Sequence, residues 1–310
     1  MKTRAALAAI LLAGAGCGRG EAQGGKAQGR QAPAADAAGA ASLDLVYEYT
    51  ENGNQDLYVM PAGGGVARRL TTHPALDGLP RWSPDGRSVF FTSQRTGNYQ
   101  IYQVPAEGGE PRRLRENAFT EYQVDPSPDG TRLAFLSNQE GAEHLWVMDL
   151  PAGPARVLVR HGRRSILGNP SWSADGGRIV FSSNYQVGHQ IYLFDLGRAA
   201  EERLSGFRRG GCEPRFHPDG QRVAYVSRGH LSEQSRLVEH DLRSGAEKVL
   251  VDWPALNYDP AYSPDGSEMA FASNITGEYA IYRVRLADGK SWRVTFGAGP
   301  ARYPDYRPKR

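Results

Sequence analysis

Four acidic residues stand at or just ahead of near-identical phrases in this chain: Asp77, Glu121, Glu213 and Asp259. Tyr122, Tyr258 and Tyr303 accompany them, and Gln123, Asn169, Cys212 and Asn257 hold neighbouring places in the copies. If the fold gathers these positions at one mouth, the acids offer the several oxygen ligands that calcium or another hard cation takes. Two carboxylates within reach of each other would also serve as acid and base on a saccharide. Aromatic groups beside acids equally suit a rim that receives a protein or glycan. A fourth reading gives them no chemistry: they line a wet channel and satisfy backbone donors there.

Other chemistry is sparse. The histidines are His73, His144, His161, His189, His217, His230 and His240, and no two have the short spacing of a metal pair on one element. Distant histidines could still converge in a closed repeat fold, which leaves a metal-dependent lyase open. His73 and His217 fall inside repeat phrases, where turn formation explains them. No nucleophile elbow or phosphate loop is present, so no catalytic residue is assigned. No cofactor is expected beyond the calcium that the acids allow. The aspartates Asp85, Asp129, Asp175, Asp219 and Asp265 resemble calcium ligands one at a time. Each precedes a glycine in a turn, where an Asp side chain caps nearby backbone groups.

The elements that position these groups follow from the phrases themselves. They read Pro80-Arg-Trp-Ser-Pro-Asp-Gly86, Val124-Asp-Pro-Ser-Pro-Asp-Gly130, Pro170-Ser-Trp-Ser-Ala-Asp-Gly176, Pro214-Arg-Phe-His-Pro-Asp-Gly220 and Pro260-Ala-Tyr-Ser-Pro-Asp-Gly266. Their aspartates are separated by 44, 46, 44 and 46 residues. A near-constant period of this size means one supersecondary unit copied along the chain. Ser, Pro and Gly at the first, second and fourth positions fit a type I turn. After each turn comes a short apolar run, such as Val89-Phe90-Phe91 or Ile179-Val180-Phe181. A third run follows (Ile101-Tyr102, Ile191-Tyr192) and then a last one ending in Leu114 or Leu204. Short runs bounded by Gly, Asn and Ser read as strands.

Six such units fit the chain. The first begins at Leu45-Val46-Tyr47 without a phrase ahead of it. Tyr303-Pro304-Asp305-Tyr306 resembles the opening of a phrase at the other end. The chain therefore reads as all-β: a six-bladed β-propeller of four-stranded antiparallel blades, the first blade closed by the C-terminal strand. Closure removes free sheet edges. The fifth unit carries extra residues within Ser227–Gln234, a candidate contact loop or a tolerated insertion.

Lys2 and Arg4 precede an apolar stretch, Ala5 to Ala15, and then Cys17. This pattern reads as an export signal, too short to span a bilayer. Cys17 behind Ala15-Gly16 resembles the acylation site of a bacterial lipoprotein signal. Residues 1–17 are thus expected to be a lipoprotein-type signal peptide. Residues 18–42, mostly Gly, Ala and Gln, read as a disordered tether, and 43–310 as the propeller. A lipid-anchored location in the bacterial periplasm or outer membrane follows. With 37 basic and 34 acidic residues and no basic stripe, nothing points to nucleic acid. With Cys17 set aside, Cys212 reads as a packed small residue.

Leu70-Thr71 leading through His73-Pro74-Ala75 to Trp82-Ser83-Pro84-Asp85-Gly86 resembles the TolB-type six-bladed propeller, a family of Pro-Asp repeats. Phe271-Ala272-Ser273, followed by Gly277 and Ile281-Tyr282, carries the same likeness. It covers essentially everything after residue 42. The resemblance implies several different jobs. The periplasmic TolB protein binds peptidoglycan-associated lipoprotein and other envelope partners. Other relatives are the propeller halves of prolyl-oligopeptidase-like peptidases, and oligogalacturonate lyases with a histidine-rich metal site. The chain is expected to lack the α/β domain that precedes the TolB propeller and the hydrolase domain that follows the peptidase propeller. The expectation is a non-enzymatic, monomeric binding module facing an envelope protein or peptidoglycan-linked partner. Its contact rim is Asp77, Glu121, Tyr122, Glu213, Tyr258, Asp259 and Tyr303. The alternative is a metal- or carboxylate-dependent lyase or hydrolase acting on a saccharide at the channel mouth.

Overall fold

A computed structural model describes residues 44–309, save 152, 187, 207–209 and 229–233. The signal, the tether and most of the fifth unit's extra loop lie outside the described residues. Among those described, twenty-four strands form six antiparallel four-stranded sheets arranged as the blades of a propeller. No described helix is long and apolar enough to cross a membrane.

The turn chemistry makes each blade. In blade two the Gly86 amide donates to the Ser83 carbonyl at 2.8 Å, and Gly86 sits at a φ of 64° that favours glycine. The Ser83 hydroxyl donates to Asp85 Oδ1 at 2.6 Å, and the same carboxylate accepts the Arg87 amide at 3.0 Å. Ser127 with Asp129, Ser173 with Asp175 and Ser263 with Asp265 repeat the arrangement. The aspartates of the phrases are therefore turn caps. Hydrogen bonding to the charged form holds the Asp129 carboxyl down at about 2.

Each phrase closes the hairpin between the first and second strands of a blade. In blade two the strands run Asp77–Trp82, Ser88–Ser93, Gln100–Pro105 and Arg112–Arg113, in that order. Blade one takes its first strand, Ala301–Tyr306, from the far end of the chain and pairs it with Asp44–Glu51. Leu45 lies opposite Tyr306 and Tyr49 opposite Ala301. The Arg307 amide donates to the Asp44 carbonyl at 2.8 Å. The ring is closed as expected.

The core lies within and between blades. Phe91, Phe135, Phe181 and Phe271 occupy one place in four second strands and are fully buried. They face Tyr102, Trp146, Tyr192 and Tyr282 across the ladder. One apolar cluster joins Val46 and Leu57 of blade one to Trp82, Phe91 and Val104 of blade two. Cys212 is buried as expected, but it is disulfide-bonded rather than a lone packed thiol. Its partner lies outside the described residues.

Candidate functional site

The first strands of neighbouring blades touch one another around the axis. They are Asp77–Trp82, Glu121–Pro126, Leu167–Trp172, Cys212–Phe216, Asn257–Tyr262 and Ala301–Tyr306. Each contains one extra residue against its partner strand, as between Gly78 and Arg81 or Tyr258 and Ala261. At this bulge Leu79, Gln123, Asn169, Glu213, Asp259 and Tyr303 all adopt φ between 50° and 56°. Five of the six precede a proline, which has no N–H for the bulge to strand. A sixfold left-handed kink thus lines the axis.

Side chains at these kinks latch one blade to the next. Gln123 Oε1 accepts the Asn169 amide at 2.8 Å, and Glu213 Oε2 accepts the Asp259 amide at 2.7 Å. Asp259 Oδ2 accepts the Tyr303 amide at 3.2 Å. Tyr303 supplies no carboxylate for Leu79, and Glu48 from the second strand of blade one accepts that amide at 3.0 Å. Two residues further along the strands is a second ring. There Asp305, Asp125 and Ser171 accept the amides of Trp82, Trp172 and Phe216. Three arginines balance the acids. Arg302 makes a two-pronged pair with Asp259 at 2.9 and 3.0 Å, and Arg81 and Arg215 each lie 3.6 Å from Asp125 Oδ1.

Burial governs the charge here. It raises Glu48 to about 7, Asp125 to about 7 and Asp305 to about 6. Burial and then the neighbouring Asp259 carboxylate push Glu213 upward as well.

The residues expected to form the contact rim are buried. Asp77, Glu121, Tyr122, Glu213, Tyr258, Asp259 and Tyr303 are all less than a tenth exposed. The structure brings Glu213, Asp259, Tyr258 and Tyr303 together around Arg302. It keeps the others apart with partners of their own. Asp77 holds Arg95 at 2.8 Å, Glu121 holds Arg115, and the Tyr122 hydroxyl donates to Glu143. Of the acids, Glu213 and Asp259 accept backbone amides, whereas Asp77 and Glu121 are taken up by arginine side chains. Among the described residues, no cluster of three or more His, Cys, Asp or Glu is placed to hold a metal ion. His73 and His217 accept the amides of Ala75 and Asp219, as turns require.

Inspection of the phrases alone missed Glu48, Arg81, Asp125, Arg215, Arg302 and Asp305. A signal existed. Arg81, Asp125, Arg215 and Asp305 share one offset in four copies, with both signs of charge represented. A serine–histidine–glutamate line was missed too: His161 bonds Ser183 Oγ at 2.8 Å through Nδ1 and Glu201 at 3.0 Å through Nε2. Ser183 is fully buried and accepts the Tyr185 amide, as Ser93 and Ser137 accept the amides of Arg95 and Gln139. It is the repeat's turn serine, with no room for an attacked carbonyl.

The exposed large apolar residues among those described are Val66, Phe119, Tyr185, Val249 and Phe296, and the three aromatic ones share a face. Call the upper face the one where the first strands begin. Phe119 and Phe296 lie on loops leading into first strands, and Tyr185 lies on the adjoining turn between second and third strands of blade four. All three are exposed, Phe296 at 72 %. Arg163 and Arg164 are also exposed on this face.

Comparison with known proteins places the ring. The family described as the TolB beta propeller domain matches residues 20–126 and 208–309, more than half of the chain. The chain belongs to this family. Crystalline TolB from Acinetobacter baumannii superposes on this TolB-type propeller with a TM-score of 0.76 at 19 % identity, over 86 % of this chain and 67 % of that one. The Tol-Pal system protein TolB of Gluconobacter oxydans is 28 % identical over 36 % of this chain and 25 % of its own length. Dipeptidyl-peptidase 5 of Porphyromonas gingivalis is 28 % identical over 41 % of this chain and 20 % of its own length. The matched segments span a quarter or less of these two curated relatives.

Proposed function

We propose that this TolB-type propeller is a non-enzymatic binding module of the bacterial envelope that receives a protein or peptidoglycan-linked partner on its upper face. The placement of Phe119, Tyr185 and Phe296 carries this reading. Large aromatic groups are the anchors of protein interfaces, and these three stand exposed on one face. The latched ring beneath them is rigid, which lowers the ordering cost of binding. Asp77, Glu121, Tyr122, Glu213, Tyr258, Asp259 and Tyr303 then form the wall that holds the contact loops. The similarity to a protein of the Tol-Pal system supports an envelope partner.

Export belongs to the same proposal. The basic start, the short apolar stretch and Cys17 support an exported chain, acylated at Cys17 and tethered by residues 18–42. A lipid thioether at Cys17 and an internal disulfide to Cys212 exclude each other, because the chain has two cysteines. Alkylation of the denatured, unreduced protein separates them: one reactive thiol accompanies acylation, and none accompanies the disulfide.

The alternative is a saccharide lyase or hydrolase. Its support is the pair Glu213 and Asp259, whose carboxylates both reach Arg302. Both are buried against Arg302, which weakens it. The deciding experiment is affinity capture from the native envelope with wild-type protein and with a triple Phe119→Ser, Tyr185→Ser, Phe296→Ser variant. The partner recovered with wild type should vanish with the variant while the melting temperature holds. Equal recovery by both sinks the upper face as the docking surface, and turnover of a saccharide abolished by Glu213→Gln would favour the enzyme.

A further inference from the structure

The axis of the propeller contains a small cavity between the two latch rings. Leu79, Arg81, Gln123, Asn169, Arg215 and Tyr303 are among the residues lining it. It has room for about one water-sized body.

Two donors of residues that line it, Gln123 Nε2 and Arg81 Nε, have no hydrogen-bond partner. Gln123 is 95 % buried; its Oε1 is taken by the Asn169 amide, and its Nε2 has no partner. Arg81 is 8 % exposed, and its Nε has no hydrogen-bond partner, its nearest carboxylate being Asp125 Oδ1 at 3.6 Å. Its Nη1 donates to the Pro80 carbonyl at 2.8 Å. Arg215 donates from Nη1 to the Pro170 carbonyl at 3.2 Å, and at 3.6 Å from Asp125 it stands beyond hydrogen-bond reach of that carboxylate. A buried donor without an acceptor calls for an explanation, such as strain, a water or an ion. Both unpaired groups are donors, and a water brings two donors of its own. An ion that only accepts fits better.

We propose that this cavity is a binding site for one small monovalent anion, a halide such as chloride, held by Arg81, Gln123 and Arg215. The site is distinct from the docking face and does not rest on it. The charge around it is adjustable. Asp125 on the strand beside Gln123 faces both guanidiniums and accepts the Trp172 amide. Asp305 on the closing strand accepts the Trp82 amide and faces Arg81. Burial raises these acids to about 7 and about 6, and Glu48, which also faces Arg81, to about 7, so all three take up protons as the pH falls through neutrality. The two guanidiniums then lose their counter-charge, and the anion should bind more tightly at pH 6 than at pH 8.

Bromide replaces chloride and scatters anomalously, so crystals of the full chain grown in sodium bromide test the site. One anomalous peak is expected within hydrogen-bond distance of Arg81 Nε and Gln123 Nε2. Chloride-35 line broadening in solution should show the matching affinity and its increase at low pH. Gln123→Glu is the informative variant: it keeps an acceptor for the Asn169 amide, as Glu213 does for Asp259, while removing the amide donor. It should weaken halide binding by at least about tenfold and leave the melting temperature in chloride-free buffer unchanged. Should it fail to fold, Arg215→Met is expected to weaken the halide similarly. An axis that holds only water in bromide, or halide binding unaltered in both variants, overturns the proposal.

Discussion

Glu213 Oε2 accepts the backbone N–H of Asp259 at 2.7 Å, across the seam between the fifth and sixth blades. The same two carboxylates share Arg302 of the closing strand. Three blades are therefore tied together at one point on the axis. Glu213→Ala strands a buried amide and should lower stability by ~1–3 kcal/mol in urea unfolding. Glu213→Gln keeps the acceptor and should lose little at pH 5. An alanine variant as stable as wild type would remove the latch.

The pH dependence of stability has a definite sign. Glu48, Asp125 and Asp305 have ordinary values of 4.5, 3.8 and 3.8, and burial raises them to about 7, 7 and 6 in the folded chain. A carboxyl raised on folding favours the native state below its unfolded value, and that contribution is lost as pH rises through the folded value. The propeller should be most stable near pH 4 to 5 with respect to these groups and should weaken up to about pH 7. Melting curves between pH 4.5 and 8 check this. In Asp125→Asn the decline should be shallower, and an unaltered slope would contradict the assignment.

Closure of the ring depends on a glycine. The Gly299 amide donates to the Tyr49 hydroxyl at 3.0 Å, and a Cβ there would overlap the Thr50 carbonyl oxygen. The backbone of the closing strand must move if a side chain is added. Gly299→Ala should cost about 1–3 kcal/mol, the usual scale of overpacking. Hydrogen exchange should then speed up first along Asp44–Glu51, where the closing strand pairs. Uniform exchange would argue against a local closure.

On the lower face, the cationic side chain of one blade covers the aromatic residue of the next. Arg132 lies over Trp172 at 4.6 Å and donates to the Gly176 carbonyl at 3.0 Å. Arg178 over Phe216, with Gly220, and Arg307 over Trp82, with Gly86, repeat it. Arg132→Met retains the stem and removes the charge, and should lose about 1–2 kcal/mol. Arg132→Lys should recover only part, since an ammonium lacks the planar fork. Full recovery by lysine would mean that charge alone is at work.

Much of the ring was legible because it is written five times. Ser83-Pro84-Asp85-Gly86 specifies its own turn through local hydrogen bonds, so its reading needs no distant partner. The pairing of Tyr303–Tyr306 with the front of the propeller was legible for a related reason: one end lacked what the other had to spare. The site was harder. Asp77 and Asp259 look alike before their phrases, yet one meets Arg95 eighteen residues away and the other meets Arg302 from the closing strand. Nothing in the local sequence of Asp259 names that arginine. Nor does it show that Tyr258 and Tyr303 are buried, because exposure at a mouth depends on how far neighbouring loops reach over it.

The sequence by itself determined the number of blades, the turns and the seam of closure, since each follows from short-range chemistry repeated at a near-constant interval. The tertiary structure alone decided which charges meet at the axis, because first strands from six blades converge there and side chains far apart in the chain come within hydrogen-bond distance. It also decided which aromatics stay outside. Burial in a propeller is set by the packing of whole sheets against each other, and no single repeat contains that information.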